Sequence, residues 1–155
     1  ALKIVQDANH EFIIRLAGYD MVQDNQNLTA LIEENGIFSQ NVEYFGFQKS
    51  VSEFYSEIDF FVLASKTEGF PNVLVEAACS GCLCIASDAG DSERILSNKA
   101  RIFPIRDFDR LASILIKHFS RDEKTIEGII KEDMLHMIGS FPISKFNSRL
   151  TELYK

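Results

Sequence analysis

The stretch from Phe60 to Gly90 constrains the fold more than any other part of the chain. Phe60 to Ala64 is a continuous apolar run, short and rich enough in β-formers to be a strand buried on both faces. A helix is expected next, over about Pro71 to Ser80, because Pro71 suits a first helical position and Gly81 suits the cap after the last one. Leu83 to Ala86 then reads as a second buried strand. Two buried strands joined through one helix in so few residues imply a right-handed βαβ unit with parallel strands.

Two carboxylates in this unit point to chemistry. Glu68 lies in the loop leaving the carboxyl end of the first strand, where open α/β sheets bind their ligands. Glu76 sits within VLVEAAC, a helix apolar on nearly every side, so its ionised form is expected to have a donor close by. Helical side chains lean toward the N-terminus, so both carboxylates are expected to border one cleft. Between them the N–H groups of about Asn72 to Leu74 open the helix, and helix N-termini attract phosphate. Carboxylates accept hydrogen bonds from sugar and ribose hydroxyls, so the pattern suits a ligand carrying both hydroxyls and phosphates. The bland reading of Glu76 is a buried hydrogen bond to a neighbouring backbone group or a salt bridge to Arg94, and that of Glu68 a solvated loop acid.

The run Glu68-Gly69-Phe70-Pro71-Asn72-Val73-Leu74-Val75-Glu76 closely resembles the Glu-x7-Glu signature of the retaining GT-B glycosyltransferases of family 4. Gly81 extends the match, and Asp88, Gly90 and Glu93 stand more loosely in place of that family's Gly-Gly-x-x-Glu segment. Arg15-Leu16-Ala17-Gly18, Val42-Glu43-Tyr44-Phe45-Gly46 and Asp59 to Ser65 resemble successive strands of its nucleotide-binding domain, so the resemblance covers roughly residues 1–119. It implies that Glu68 faces the donor sugar near the reacting carbon and that Glu76 binds the ribose hydroxyls. It also implies that the backbone at Gly69, Phe70, Asn72 and Val73 approaches the diphosphate or the sugar, without a metal. Lys66, Gly18, Gly46 and Phe47 are second-rank donor-site candidates. Phe47 belongs to a loop expected against the nucleobase, whereas Phe45 is assigned to the core.

The activity so implied is transfer of a hexosyl group from a nucleotide sugar, a UDP-sugar by preference, to a carbohydrate or lipid-linked acceptor. The competing class is a non-catalytic nucleotide-sugar-binding or interaction module on the same fold. Departures from the family shape a further expectation. Its members carry an acceptor-binding domain ahead of this one, and a first strand whose loop bears a basic pair; Lys3 cannot stand in for that pair. In the strand order 3-2-1-4-5-6 that first strand is central. The chain is therefore expected to be a fragment, 1–119 being a Rossmann-like core and 120–155 a helical extension, within one donor-binding domain. Asp20 and Asp91 stand where the family often has Gly.

Composition narrows the classes further. A net charge of −7 argues against nucleic acid as a partner, and a hydrophobic fraction of 46% is that of a globular domain. No apolar run reaches the length of a membrane span and no secretory signal pattern is visible, so the expected location is the cytoplasm or the cytoplasmic face of a membrane, with peripheral association of the full enzyme. Cys79, Cys82 and Cys84 are expected as buried free thiols.

The remaining elements follow from periodicity and punctuation. Residues 1–8 read as the end of a helix, Phe12 to Leu16 as a strand, Asn27 to Asn35 as a helix, Val42 to Phe45 as a buried strand and Val51 to Ile58 as a helix. A short helix is expected near Ser92 to Leu96, a strand over Arg101 to Pro104, and a helix with Phe108, Leu111, Leu115 and Phe119 on its inner face. Ser120 and Glu123 have capping-box spacing for a helix through about Ile138. Ile143, Phe146, Leu150 and Leu153 stripe a final helix that is expected to dock on another domain or to drive self-association. The whole is expected to be an α/β fold, a Rossmann-like parallel sheet with helices on both faces and a helical C-terminal extension, which the family resemblance implies is one half of a GT-B fold.

Overall fold

Leu83–Ser87 is buried at every position, and it forms the central strand of a three-stranded parallel ladder. The computed structural model describes residues 1–141. Parallel strands (β) alternate with helices (α), and the described chain divides into two units. The last apolar stripe, Ile143 to Leu153, lies outside the described residues.

The first unit comprises Ala1–Phe54 and Asp107–Ser120. Its strands β1 (Ile14–Ala17) and β2 (Val42–Gly46) pair in parallel, Ile14 opposite Val42, with a one-residue shift after Leu16 that sets Ala17 opposite Gly46. Arg15 reaches across this ladder to Glu43 at 2.9 Å. The strands are linked through α2 (Gln26–Glu34), which Asn25 caps by accepting from the N–H of Leu28. Helix α1 (Leu2–Asp7) packs on α6 (Phe108–Phe119), and His10 stacks on Phe119 at 5.5 Å. The inner face of α6 is Leu111, Ala112, Ile114, Leu115 and His118; Phe108, expected there, points to the same side but is exposed, because it is the first residue of the helix and stands ahead of the packed turns. Helix α3 (Val51–Ser56) runs from this unit into the second.

Among the described residues, the second unit comprises Tyr55–Arg106 and 121–141. Here β3 (Phe60–Leu63), β4 (Leu83–Ser87) and β5 (Ile102–Phe103) form the second ladder, with Phe60 opposite Leu83 and Ala86 opposite Ile102. The expected βαβ unit is therefore present, its helix α4 spanning Asn72–Cys79 with Pro71 as the residue before it. Burial of β3 is less complete than its apolar run implies, only Leu63 being buried, because β3 pairs along one edge alone. Helix α4 buries Leu74, Ala77 and Ala78 against the ladder, and truncating a side chain as enclosed as Leu74 to alanine costs about 2–5 kcal/mol.

Helices α5 (Ser92–Ile95) and α7 (Glu123–Ser140) complete this unit. Ser120 and Glu123 do not form the expected capping box. Asp122 takes that role, accepting from Thr125 N–H at 2.9 Å and Thr125 Oγ1 at 2.8 Å, while Ser120 Oγ donates back to the Ile116 carbonyl and so closes α6. A buried ion pair fastens α7: Arg101 donates to both carboxylate oxygens of Asp133 at 2.6 Å, each side chain 1% exposed. Arg101 also donates to the Cys84 carbonyl of β4 at 2.8 Å, and Asp133 accepts from Ser97 Oγ at 2.6 Å. One charged knot thus holds α7, β4 and the turn after α5 together.

Candidate functional site

The carboxyl ends of β3 and β4 fix the loop that carries Glu68. Ser65, just beyond β3, donates through its hydroxyl to Glu68 Oε1 at 2.7 Å. The Ser65 carbonyl in turn accepts from Ser87 Oγ at 2.7 Å, and Ser87 ends β4 fully buried. A second clasp acts on the backbone: Asp91 N–H donates to the Gly69 carbonyl at 3.0 Å. Gly90, at φ +57°, lies so close that a Cβ there would stand 2.6 Å from the Glu68 carbonyl oxygen and nearer still to that of Gly69. Only glycine fits this approach. Glu68 is thereby half-buried and held from both its side chain and its main chain.

Helix α4 follows with an open N-terminus. Helices α2, α6 and α7 begin with a side chain, Asn25, Asp107 and Asp122, that accepts from their first amides. Pro71 gives α4 no such acceptor, and Asn72 and Val73 are exposed. The amides that open α4 are therefore available to an anion. Phe70, partly exposed, packs edge-to-face on Phe141 at 5.4 Å, and the Arg94 guanidinium lies 5.2 Å over the same Phe141 ring.

Glu76 corrects an expectation. It is exposed rather than enclosed, because Leu74, Ala77 and Ala78 fill the buried side of α4 and two residues beyond Leu74 is nearly the opposite side of a helix. Nor does it pair with Arg94, which reaches Asp91 at 3.4 Å instead. Among the described residues the Glu76 carboxylate has no hydrogen-bond or ion-pair partner. Its charge is felt at Tyr55, whose phenol is pushed up to about 12, first by burial and then by the Glu76 carboxylate and by Cys82 and Cys84. Lys66 is exposed in the same loop as Glu68. Glu93 pairs with Lys99 at 2.7 Å, an exposed contact at the surface.

In the first unit, Gly18 and Gly46 end the two strands in backbone conformations that favour glycine, φ +139° and +61°. They are bonded together, Gly18 N–H donating to the Gly46 carbonyl at 2.8 Å, and Gly46 N–H to that of Met21 at 2.9 Å. Each glycine is followed by an exposed aromatic residue, and the rings of Tyr19 and Phe47 stack at 4.8 Å. Tyr19 was not foreseen; its position directly after a strand-ending glycine, matching that of Phe47, is the signal in the sequence. Phe45, expected in the core, is partly exposed because β2 turns that side outward, with Phe54 edge-on at 5.3 Å and Arg15 over its ring at 5.5 Å.

The cysteines also differ from expectation at one position. Cys82 and Cys84 are buried, but Cys79 is exposed on the last turn of α4. Burial, with Asp59 nearby, pushes the Cys82 thiol up to about 11, and burial pushes that of Cys84 up as well. No cluster among the described residues has the His, Cys and carboxylate set of a metal site, and no helix among them is long and apolar enough to cross a membrane.

Solved structures share this architecture. HepE of Anabaena, solved in complex with UDP, superposes with a TM-score of 0.79 at 18% identity, over 99% of this chain and 44% of its own. A glycosyltransferase of Rickettsia africae gives 0.82 at 19% identity, over 99% and 42%. S. aureus TarM, solved in a complex containing UDP, gives 0.83 at 17%, over 99% and 31%. The chain thus spans less than half the length of these proteins. No curated protein matches it closely enough to compare. The family described as Glycosyl transferases group 1 matches residues 1–121, a span that holds both ladders, the clasped Glu68 loop and the open end of α4, and the chain belongs to that family.

Proposed function

We propose that this chain is the donor-binding half of a retaining glycosyltransferase that needs no metal, taking a nucleoside diphosphate sugar and passing a hexosyl group to a carbohydrate or lipid-linked acceptor. The observation that carries the reading is the uncapped N-terminus of α4 lying between a clasped carboxylate, Glu68, and an unpartnered one, Glu76. The amides of Asn72 and Val73 hold the diphosphate, Gly69 and Phe70 let the main chain approach it, and Glu76 accepts from the ribose hydroxyls. Glu68 faces the sugar, where its negative charge opposes the positive charge developing at the reacting carbon. An exposed carboxylate without a protein partner costs nothing to leave in water, and it is free to be satisfied by a ligand.

UDP is the favoured carrier, supported by the UDP-bound relatives and by HepE solved with UDP-glucose. Within the first unit, the stacked pair of Tyr19 and Phe47 suits the face of an aromatic ring, and within the second, Lys66 suits a diphosphate. Membership of the family supports the reading that a further strand bearing a basic pair belongs to the same domain. The acceptor then binds to a separate N-terminal domain, with the enzyme acting in the cytoplasm or at the cytoplasmic face of a membrane.

Donor turnover by the full-length protein tests this. Release of nucleoside diphosphate from UDP-glucose, UDP-galactose, UDP-N-acetylglucosamine or GDP-mannose is expected to fall at least about a hundredfold in Glu68→Gln, which keeps the shape of the side chain and removes its charge. Turnover at the wild-type rate in that variant would remove Glu68 from the reaction.

A further inference from the structure

A serine that ends a fully buried strand needs a reason. Ser87 is 1% exposed, and a hydroxyl so placed is destabilising unless it is bonded. Its hydroxyl donates to the Ser65 carbonyl at 2.7 Å, and Ser65 in turn donates its own hydroxyl to Glu68 Oε1 at 2.7 Å. A hydroxyl-to-carboxylate contact three residues apart in an open loop contributes little by itself, because both groups must be ordered against water. Here the donor is already ordered. Its main chain is tied to β4, the most enclosed strand of its ladder, so the direction of the Ser65 hydroxyl is inherited from the core.

We propose that Ser65 and Ser87 are positioning residues for Glu68, a relay from β4 that fixes the rotation of its carboxylate. The inference rests on the reading of Glu68 as the group that faces the donor sugar. With Oε1 held by Ser65, Oε2 is the oxygen presented to the ligand. A carboxylate restrained in this way meets developing charge without first reorienting, which acts on the transition state more than on binding. Gly90 and Asp91 hold the backbone of the same loop from outside the relay, so loss of a serine hydroxyl frees the side chain and loosens the loop around it without releasing the loop from the fold.

The test uses the full-length protein, with the four nucleotide sugars named above, and peptide-level hydrogen exchange over residues 66–70 on the same samples. Ser65→Ala is expected to lower kcat about ten- to a hundredfold, as befits a hydrogen bond to a charged group, with KM unchanged within about twofold. Ser65→Thr, which keeps the hydroxyl, recovers most of that loss. Ser87→Ala lowers kcat in the same direction, and both alanine variants exchange faster over the loop by about threefold or more. An unchanged kcat in Ser65→Ala, while Glu68→Gln is inactive, overturns the relay and leaves the role of Glu68 standing. A fully active Glu68→Gln overturns the role of Glu68 and the relay with it. If none of the four donors turns over, exchange decides: equal protection in wild type and both alanine variants overturns the relay, and faster exchange in them but not in Ser65→Thr supports it.

Discussion

A methyl group added at Gly90 would meet the main chain of Glu68 and Gly69, and neither carbonyl is the movable end of a side chain. Gly90→Ala must also hold a left-handed φ that alanine rarely adopts. The substitution is expected to cost about 1–3 kcal/mol of stability and to displace the Glu68 loop, seen as a lower Tm together with weaker donor turnover. Cysteine reactivity gives a second check at this scale. Only the thiolate reacts, and at about pH 8 the Cys82 thiol, pushed up to about 11, is ionised in roughly one molecule per thousand. Native labelling with iodoacetamide, read by mass spectrometry, is expected to modify Cys79 and to leave Cys82 and Cys84 untouched until the protein is unfolded. Glu68 and Glu76 were legible in the sequence because two carboxylates flank a helix start. The exposure of Glu76 was not, since VLVEAAC is too short and too apolar to show which side of its helix faces the core. Ser65 and Ser87 were illegible for a different reason: each is an ordinary strand-end residue until the pairing of β3 with β4 brings them together.

Helix α7 depends on a pair that no local pattern reveals. Asp133 occupies a position on its inner stripe where an apolar residue is expected, and its partner Arg101 stands 32 residues earlier in the turn before β5. Removing one member leaves the other buried without compensation, so Asp133→Ala is expected to destabilise by about 3–5 kcal/mol in chemical denaturation, enough to release α7 from β4. The start of α7 makes a pH-dependent prediction. Donation from the Thr125 hydroxyl, and then from the Thr125 N–H, holds the Asp122 carboxyl below its ordinary value. A depressed folded-state value stabilises above the unfolded one and is lost as pH falls through the folded one. The Tm difference between wild type and Asp122→Ala is therefore expected to be present at about pH 7 and to shrink as pH falls from about 4 toward 3, measured by thermal denaturation across that range. Punctuation located this helix only to within two residues, since Ser120, Asp122 and Glu123 all resemble starts and only hydrogen bonding selects among them.

At the scale of the whole molecule, the parallel α/β character followed from β3, α4 and β4, where length, apolarity and the Pro71 and Gly81 boundaries agree. The division into two ladders was beyond a reading of individual segments, because pairing is a property of strands far apart in the chain. If a further strand with a basic pair belongs to this domain, the chain extended upstream to include it is expected to unfold with a steeper denaturant dependence, reflecting more surface buried, and to hold nucleotide more tightly than residues 1–155 alone. The most direct test of the donor site is calorimetric titration of the full-length protein with UDP, GDP and ADP, repeated with Glu76→Ala. One nucleotide, UDP by preference, is expected to bind, and the substitution to weaken it at least about tenfold, as loss of a charged hydrogen-bond acceptor predicts. Binding of that nucleotide to Glu76→Ala as tightly as to wild type, or no binding of any of the three to the wild-type protein, would contradict the donor-site assignment.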